Sequence, residues 1–285
     1  MAQCAGGSRK NATANTQEGR FFHGYYGNYC YLPLYIFAGD FLLCAKLRTS
    51  DKDGAAGSVE EAQRIVARIR KRWPNVRLVL RADSGFARDE LMTWCEANRV
   101  DYVLGLAKND RLVAMIAPQL EDVRREAERT GQAARSFWEL RYRTLDSWSC
   151  ERRVVAKAEH LGDKSNPRFV VTSFSPLEHQ ARSLYEDLYC ARGDMENRIK
   201  EQQLYLFADR TSAYTLINFL RHFGLRGTEL ERAQSGTIRT KLFKVGALVR
   251  VSVRRVVLSL SAASPVHELF GRIAAALQMN LAPAA

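Results

Sequence analysis

The sequence lacks the features that mark membrane, secreted and zinc-binding proteins. No run approaches the roughly 20 consecutive apolar residues that a transmembrane helix needs. The N-terminal residues have no charged-then-apolar signal pattern. The six cysteines and five histidines are dispersed, with neither a C-x-x-C pair nor zinc-ligand spacing. We therefore expect a cytoplasmic protein with no membrane segment and no structural zinc site.

The sequence also contains fewer acidic residues than basic ones. The chain has 43 Lys and Arg residues against 31 Asp and Glu residues, a formal net charge of +12. A protein this basic favours a polyanionic partner, and nucleic acid is the first candidate. Hydrophobic residues make up 46% of the 285 residues, which is enough to bury a sizeable core.

Apolar periodicity predicts a mixed α/β sheet with helices on both faces. Residues 1–20 are small and polar, and we expect a disordered tail there. Two apolar runs around Gly39-Asp40 predict a hairpin, residues 58–72 predict a helix, and residues 100–106 predict a strand. Residues 112–129 predict one further helix. The period-two alternation of residues 137–175 predicts an antiparallel β unit that is inserted into the α/β core and projects from it.

The first segment that could carry chemistry is residues 189–201. At 100° per residue, Tyr189, Arg192, Glu196 and Gln203 share one stripe of a helix. A phenol, a guanidinium and a carboxylate form a poor core face, but they suit a site where a carboxylate holds a metal beside phosphate. The same pattern also fits a solvated helix face with ordinary charge pairs.

The second segment is residues 78–86, in which Asp83 follows a predicted buried strand. Ligands in open α/β sheets bind at the carboxyl ends of strands, so Asp83 is a candidate site residue. Asp-Ser-Gly is also a common turn sequence, and that interpretation stays open.

Both segments resemble a known family. Residues 189–201 resemble the Y-x2-R-x3-E-x6-K signature of a large branch of DDE insertion-sequence transposases. The match departs at Gln203, where the family has lysine, although Lys200 lies on nearly the same face. The segment around Asp83 resembles the R-x-D-S/G-x-F pattern that carries the family's second catalytic aspartate. The resemblance implies an RNase H-like fold with a β-rich insertion between Asp83 and Glu196.

The resemblance also implies a chemistry. Such transposases cut and join DNA with two divalent ions, Mg²⁺ or Mn²⁺, held by three carboxylates. It assigns Asp83 and Glu196 as catalytic metal ligands, and it places Tyr189, Arg192 and Lys200 near phosphate. The implied partners are the element ends and the target DNA, and the implied assembly is a homo-oligomer formed on DNA.

The first of the three carboxylates has no counterpart in the sequence. The family carries it on an opening strand, before the segment that residues 17–26 resemble, but this chain has no aspartate before Asp40. Asp40, Asp51 and Asp53 fall in a predicted turn and a polar loop, where structural or solvated roles are expected. We therefore expect a truncated or frameshifted copy with impaired activity.

The resemblance and the periodicity together divide the chain. The predicted segments are a tail (1–20), the first part of the catalytic domain (21–136), the β-rich insertion (137–175), the second part of the catalytic domain (176–225), and a basic helical C-terminal region (226–285). Residues 226–255 contain eight basic residues and two acidic ones, so we expect Arg239, Lys241 and Lys244 to contact DNA phosphate, unless this is only a solvated face.

Two other functions remain open on the sequence alone. The chain could be a DNA-binding remnant without catalysis. It could also be an unrelated nucleic-acid-binding α/β protein in which both motifs are coincidental. Carboxylates that share metal ions must lie within several ångströms of each other, so convergence of Asp83 and Glu196 would exclude the second alternative.

Overall fold

A computed structural model describes residues 2–6, 21–24, 27–162, 164–193, 197, 199, 211–251, 256–260 and 266–281. The chain divides into two compact units, which comprise residues 1–196 and 197–285. The boundary falls within the segment 176–225 that the sequence assigned to one part of the catalytic domain. We describe each unit by itself.

Most strands of the first unit belong to one mixed sheet. The strands of this unit are β1 (Ala2–Gly6), β2 (Phe21–His23), β3 (Asn28–Cys30), β4 (Leu34–Ala38), β5 (Phe41–Lys46), β6 (Leu78–Ala82), β7 (Val100–Leu106), β8 (Ala134–Tyr142), β9 (Arg152–Leu161), β10 (Lys164–Ser165) and β11 (Arg168–Thr172). The order in the sheet is β10-β9-β11-β7-β6-β1-β4-β5, with β8 also paired to β9, while β2 and β3 form a separate hairpin. Strands β1, β6 and β7 are parallel, which brings their carboxyl ends to one edge of the sheet.

Strand β1 corrects the prediction of a disordered tail for residues 2–6. It lies inside the sheet, antiparallel to β4 and parallel to β6. The sequence AQCAG has no alternation of apolar and polar residues. A strand flanked on both sides can form from such a sequence because its neighbours satisfy its backbone hydrogen bonds. The rest of the predicted tail lies outside the described residues.

Helices cover both faces of the sheet, as predicted. They are α1 (Ser58–Arg72), α2 (Asp89–Ala97), α3 (Asp110–Met115), α4 (Ala117–Thr130) and α5, which begins at Ala181–Ser183. Helices α1, α2 and α4 pack on one face through buried side chains such as Ile65, Met92 and Val123. On the other face, Leu184 and Tyr185, which continue α5, pack against Val103 of β7. The fold is therefore a mixed α/β sheet between two helical layers.

The predicted β insertion is antiparallel, but it does not project from the core as a separate unit. Strands β8 and β9 pair antiparallel, as do β9 and β11. Strand β11 also pairs with β7, from Phe169 opposite Leu106 to Thr172 opposite Val103. The insertion thus extends the central sheet. This arrangement covers the edge of β7, which would otherwise expose unpaired backbone groups.

The second unit contains helices and one hairpin. Its elements are α6 (Thr211–Phe219, continued by the π-helix Leu220–Gly224), α7 (Ser235–Ile238, continued by the π-helix Arg239–Phe243), β12 (Ala247–Val251), β13 (Val256–Leu260) and α8 (His267–Leu281). The antiparallel pair β12/β13 corrects the prediction that residues 226–285 are helical throughout. Its sequence is rich in β-branched valine, which favours strands. In the parts of the chain that the structure describes, no helix is both long and apolar enough to cross a membrane.

Candidate active site

Asp83 lies at the carboxyl end of β6, at the sheet edge that the sequence indicated. Its backbone is extended, and it caps the short 3-10 helix Ser84–Phe86. The Gly85 amide donates a hydrogen bond of 2.9 Å to Asp83 Oδ1. Phe86 is buried in the core and anchors this turn from the other side. The half-buried Asp83 carboxylate is therefore held in a defined position beside solvent.

Tyr189 meets the turn of Asp83 across β7. A methyl group built on Gly105 of β7 would lie 2.5 Å from the Tyr189 hydroxyl oxygen and 3.0 Å from the Ser84 amide nitrogen. It would also lie 3.3 Å from the Asp83 carbonyl carbon. These groups can come this close together only because residue 105 has no side chain. The structure thus brings together Tyr189 and Asp83, two of the predicted site residues.

Arg81 ties the segment before Tyr189 to the same strand. It lies two residues before Asp83 on β6, is 9% exposed, and its Nη1 donates to the Leu188 carbonyl oxygen at 2.7 Å. A charged donor makes a stronger hydrogen bond than a neutral one, especially where water is excluded. Arg81 is the arginine of the R-x-D pattern. We assign it as a positioning residue that holds Tyr189 against the Asp83 turn.

An aromatic row supports Tyr189 from the opposite side. Phe137 of β8 packs on Tyr185, and Tyr185 packs on Tyr189, with ring centroids 5.5 Å apart in both pairs. The Lys157 Nζ atom lies 5.5 Å from the centroid of the Tyr185 ring. Burial raises the pKa of Tyr185 to about 12, so this ring stays a neutral phenol at neutral pH. The row links the β insertion to the candidate site.

The helix that leads to Glu196 departs from ideal α geometry. After Ala181–Ser183 it runs as a π-helix over Leu184–Tyr189 and as a 3-10 helix over Cys190–Arg192. The helix stripe predicted for Tyr189, Arg192, Glu196 and Gln203 assumed 100° per residue, and this segment does not have that geometry. A 3-10 turn has three residues, so positions 189 and 192 still lie one above the other. Glu196 and Lys200 lie outside the described residues, as does the side chain of Arg192.

Strand β1 passes beside Asp83 without contributing a carboxylate. In the parallel ladder, Gln3 is opposite Arg81 and Cys4 is opposite Ala82. Continuing this register by one residue places Ala5 beside Asp83. Residues in register on neighbouring strands face the same side of the sheet. Position 5 is thus where a carboxylate on β1 would come nearest to Asp83, and the residue there is alanine.

Two of the other early aspartates, Asp51 and Asp53, lie in the loop that precedes α1. Asp53 accepts a hydrogen bond from Arg88 Nη2 at 2.6 Å and one from the Ala55 amide at 2.8 Å. Burial opposes ionisation of Asp53, but these donors outweigh it, so its pKa is lowered. The structural role expected for Asp53 is confirmed. Asp51 lies exposed in the loop before α1.

The comparisons with known proteins decide the family. The family described as "Transposase DDE domain group 1" matches residues 8–281, nearly the whole chain. The chain belongs to this transposase family. The comparison with curated proteins gave no match.

DDE transposases typically use divalent metals, so the described residues can be tested for such a site. Asp83 is an oxygen ligand of the type that Mg²⁺ prefers. Within the described ranges, however, no three Asp, Glu, His or Cys side chains are grouped so that they could hold an ion. The described residues alone thus do not make up a metal site, and no catalytic step can be derived through a metal from them.

The basic residues proposed for DNA contact belong to the second unit. Lys241 and Lys244 are exposed, and Arg239 is half-buried at the start of a π-helix. None of the three forms an ion pair with the residues that the structure describes there. Their side chains therefore present charge that is not neutralised within the described part of this unit.

Sequence reasoning missed Gly105 and Arg81 as neighbours of the candidate site. A signal for Gly105 was present, because a glycine inside the apolar strand Val100–Leu106 often marks a close approach of another group. The position of Ala5 had no such signal, because it depends on the pairing of β1 with β6.

A side chain at position 105 should destabilise the fold by crowding the candidate site. We expect Gly105→Ala to lower the free energy of unfolding by about 1–3 kcal/mol, because the new methyl group overpacks against the Ser84 backbone and the Tyr189 hydroxyl. Adding Tyr189→Phe should recover only part of this loss, since the Ser84 backbone contact remains. Urea denaturation measures the effect.

Gly54→Ala is the matched control for this prediction. A methyl group at Gly54 would meet nothing within 4 Å, and its backbone needs no positive φ. We expect a change within about 0.5 kcal/mol. If Gly105→Ala were equally silent, Tyr189 would not be packed against Gly105.

Proposed function

We propose that this chain is a DDE transposase of the RNase H-like type, built for DNA strand cleavage and strand transfer, in which catalysis is impaired. The observation that carries the proposal is the register of β1 beside β6, which puts Ala5 where a carboxylate would stand next to Asp83. The mixed sheet between two helical layers and the family match support the rest.

In this proposal Asp83 and Glu196 are the remaining metal ligands. Asp83 and Glu196 would hold the divalent ions, which would supply positive charge for activation of the attacking oxygen and stabilisation of the leaving one. The chain's own residues supply the framework: Gly85 and Phe86 fix the Asp83 turn, and Arg81 holds the Leu188 carbonyl, one residue before Tyr189. Tyr189 and Arg192 contact DNA phosphate in this proposal.

The partner in this proposal is DNA, both the element ends and the target. The basic residues Arg239, Lys241, Lys244 and Lys200 contact the DNA backbone. The active assembly is a homo-oligomer on DNA. A chain with only two of three carboxylates would still bind DNA. Such a chain could also act as a non-catalytic partner of an intact transposase, a role favoured by the absence of acidic residues from β1.

Mn²⁺ binding tests the shared site directly. If Asp83 and Glu196 hold one ion together, Asp83→Asn and Glu196→Gln should each weaken Mn²⁺ binding at least about tenfold, and the double variant should be little weaker than either single one. Asp51→Asn, a change of the same charge in an exposed loop, should leave binding unchanged. Isothermal titration calorimetry gives the binding constants of the wild type and of all four variants.

The outcome separates the proposal from coincidental motifs. Additive effects, or an effect of Asp51→Asn as large as that of Asp83→Asn, would mean that Asp83 and Glu196 do not share an ion. The proposed RNase H-like arrangement would then be wrong, whatever the chain binds.

A further inference from the structure

A groove of about 370 Å³ lies where β8 ends and α3 begins. Its lining includes three arginines, which are Arg111, Arg141 and Arg143, together with Tyr142 and Glu151. All three arginines are exposed. Nothing in the DDE signature refers to them, and Asp83 and Tyr189 do not line this groove.

None of the three arginines has a carboxylate partner among the residues that the structure describes. On α4, by contrast, Arg124 and Arg125 pair with Glu121, and Arg129 pairs with Glu126. The charge of the α4 arginines is neutralised locally. The charge of the groove arginines is directed to solvent.

Two of the three groove arginines, Arg111 and Arg141, are held in place by neutral groups. The Arg111 guanidinium lies 5.3 Å from the centroid of the Tyr142 ring, and its Nη1 donates to the Arg143 carbonyl oxygen at 3.4 Å. Arg141 donates to the Glu151 carbonyl oxygen at 3.2 Å. Contacts of this kind reduce the side-chain freedom that would be lost on binding without cancelling the charge.

Tyr142 gives the groove a rigid floor. It is 4% exposed, its hydroxyl accepts a hydrogen bond from Asn109 Nδ2 at 3.1 Å, and its ring meets the Trp148 ring edge-on. Asn109 in turn caps α3 by accepting from the Leu112 amide. Tyr142 therefore belongs to the folded core, and the three arginines surround it at the surface.

We propose that this groove, defined by Arg111, Arg141 and Arg143, binds phosphate groups of a DNA backbone. Arginine matches the geometry of phosphate oxygens with paired N–H donors, and three guanidiniums around one open groove suit successive phosphates rather than a single small anion. Glu151 is the one acidic residue that lines the groove, so the lining has a net positive charge. This inference rests on the proposed function, because it takes DNA as the partner.

The test compares two variants that each lose three positive charges. In the first, Arg111, Arg141 and Arg143 are all changed to glutamine. In the second, Arg124, Arg125 and Arg129 of α4 are changed in the same way. Affinity for duplex DNA is measured by fluorescence anisotropy at several salt concentrations, without divalent metal, on two unrelated sequences. Circular dichroism establishes that each variant is folded.

The groove variant should bind both sequences more weakly, by at least about tenfold at low salt. Its plot of log affinity against log salt should lose about one unit of slope for each phosphate contact removed, about three in all. The α4 variant should keep the wild-type slope. Glu151→Gln should strengthen binding, because it removes the one negative charge that lines the groove.

Leu145→Glu keeps the proposal falsifiable if the triple groove variant does not fold. Leu145 lines the groove and is 74% exposed, so glutamate there adds charge without disturbing packing. It should weaken DNA binding, whereas Leu177→Glu, at a site 99% exposed and away from the groove, should do so much less.

Equal losses in the groove and α4 variants would overturn the inference, because net charge alone would then explain binding. So would a groove variant with an unchanged slope. Because binding is read without metal or cleavage, a chain that binds DNA through this groove but lacks the metal site would leave the inference standing and the proposed function overturned. A wild-type chain that binds no DNA would overturn both.

Discussion

Replacing Ala5 with aspartate should turn a chain without detectable DNA cleavage into one that nicks supercoiled DNA in Mg²⁺ or Mn²⁺. We expect the unmodified chain to show no metal-dependent nicking, and Ala5→Asp to raise the rate by about a thousandfold. That factor corresponds to about 4 kcal/mol of transition-state stabilisation, which is well within what a missing metal ligand removes.

The choice of position 5 follows from the backbone register. Strand β1 runs parallel to β6 with Cys4 opposite Ala82, so the next residue stands beside Asp83. Side chains alternate between the two faces of a strand, and Ala82 is fully buried in the core. Arg81 and Asp83, on either side of Ala82, therefore face the opposite side of the sheet. An aspartate at position 5 would therefore add an oxygen ligand on the side of the sheet where Arg81 reaches Leu188.

Gln3→Asp is the matched control for this substitution. It adds the same charge to the same face of β1, but two residues earlier, opposite Arg81. It should leave the chain inactive, and Asp83→Asn should abolish the activity gained by Ala5→Asp. Robust nicking by the unmodified chain, lost on Asp83→Ala, would mean that another carboxylate already fills the position.

Local sequence was sufficient to predict elements whose boundaries depend on their own residues. The strand at residues 100–106 and the helix ending at Arg72 were predicted with the bounds that the structure has. The hairpin around Gly39-Asp40 is also confirmed, and Gly39 has the positive φ that such a turn favours. In each case apolar periodicity, a turn residue or a following proline supplies the signal.

The prediction of one helix over residues 112–129 was wrong in a way that the sequence could have indicated. The structure has two helices there, α3 and α4, which meet at Ile116. Pro118 lies in the first turn of α4, where its missing N–H costs nothing. The same proline inside a continuous helix would lose a hydrogen bond and clash with the preceding turn.

Long-range pairing explains most of what the sequence could not supply. Whether residues 2–6 form a strand depends on β4 and β6, and whether β11 extends the sheet depends on β7. Neither partner can be identified from alternation within a strand. The same holds for the site: Asp83 could be named from its motif, but its neighbours Gly105 and Tyr189 meet only through the fold.

Loss of the Arg152 side chain should strongly destabilise the first unit. Its side chain is 2% exposed, and it donates hydrogen bonds to Asp89 at 2.6 Å and to Glu96 at 2.7 Å. It also reaches Thr93 Oγ1 at 3.0 Å and lies 5.7 Å from the Trp148 ring centroid. Arg152 thus links strand β9 to α2 through residues at both ends of that helix.

We expect Arg152→Met to lower the free energy of unfolding by about 3 kcal/mol at pH 7, the lower end of the range for breaking a buried ion pair. The lower end applies because both carboxylates keep some contact with water. Methionine retains the apolar stem, so the loss reports mainly on the charge. Arg124→Met, at an exposed ion pair on α4, should cost no more than about 1 kcal/mol.

The effect of Arg152→Met should also depend on pH. Burial opposes ionisation of Asp89 and Glu96, yet hydrogen bonds from Arg152 and their other donors outweigh it and hold the pKa of both carboxyls below the usual value. Groups with a lowered folded-state pKa stabilise the fold above the unfolded-state pKa of about 4, and that contribution is lost as the pH falls further. The difference between wild type and Arg152→Met should therefore be largest near neutrality and shrink below pH of about 4.

A third variant decides whether the charge network or the packing causes the loss. With Arg152→Met, the carboxylates of Asp89 and Glu96 lose their cation, and converting them to Asn and Gln in the same chain removes that unpaired charge. If the network is the cause, the triple variant should recover part of the stability and lose the pH dependence in urea denaturation. A triple variant less stable than Arg152→Met at every pH would mean that the two carboxylates stabilise the fold through Ser149 and Tyr102 and not through Arg152.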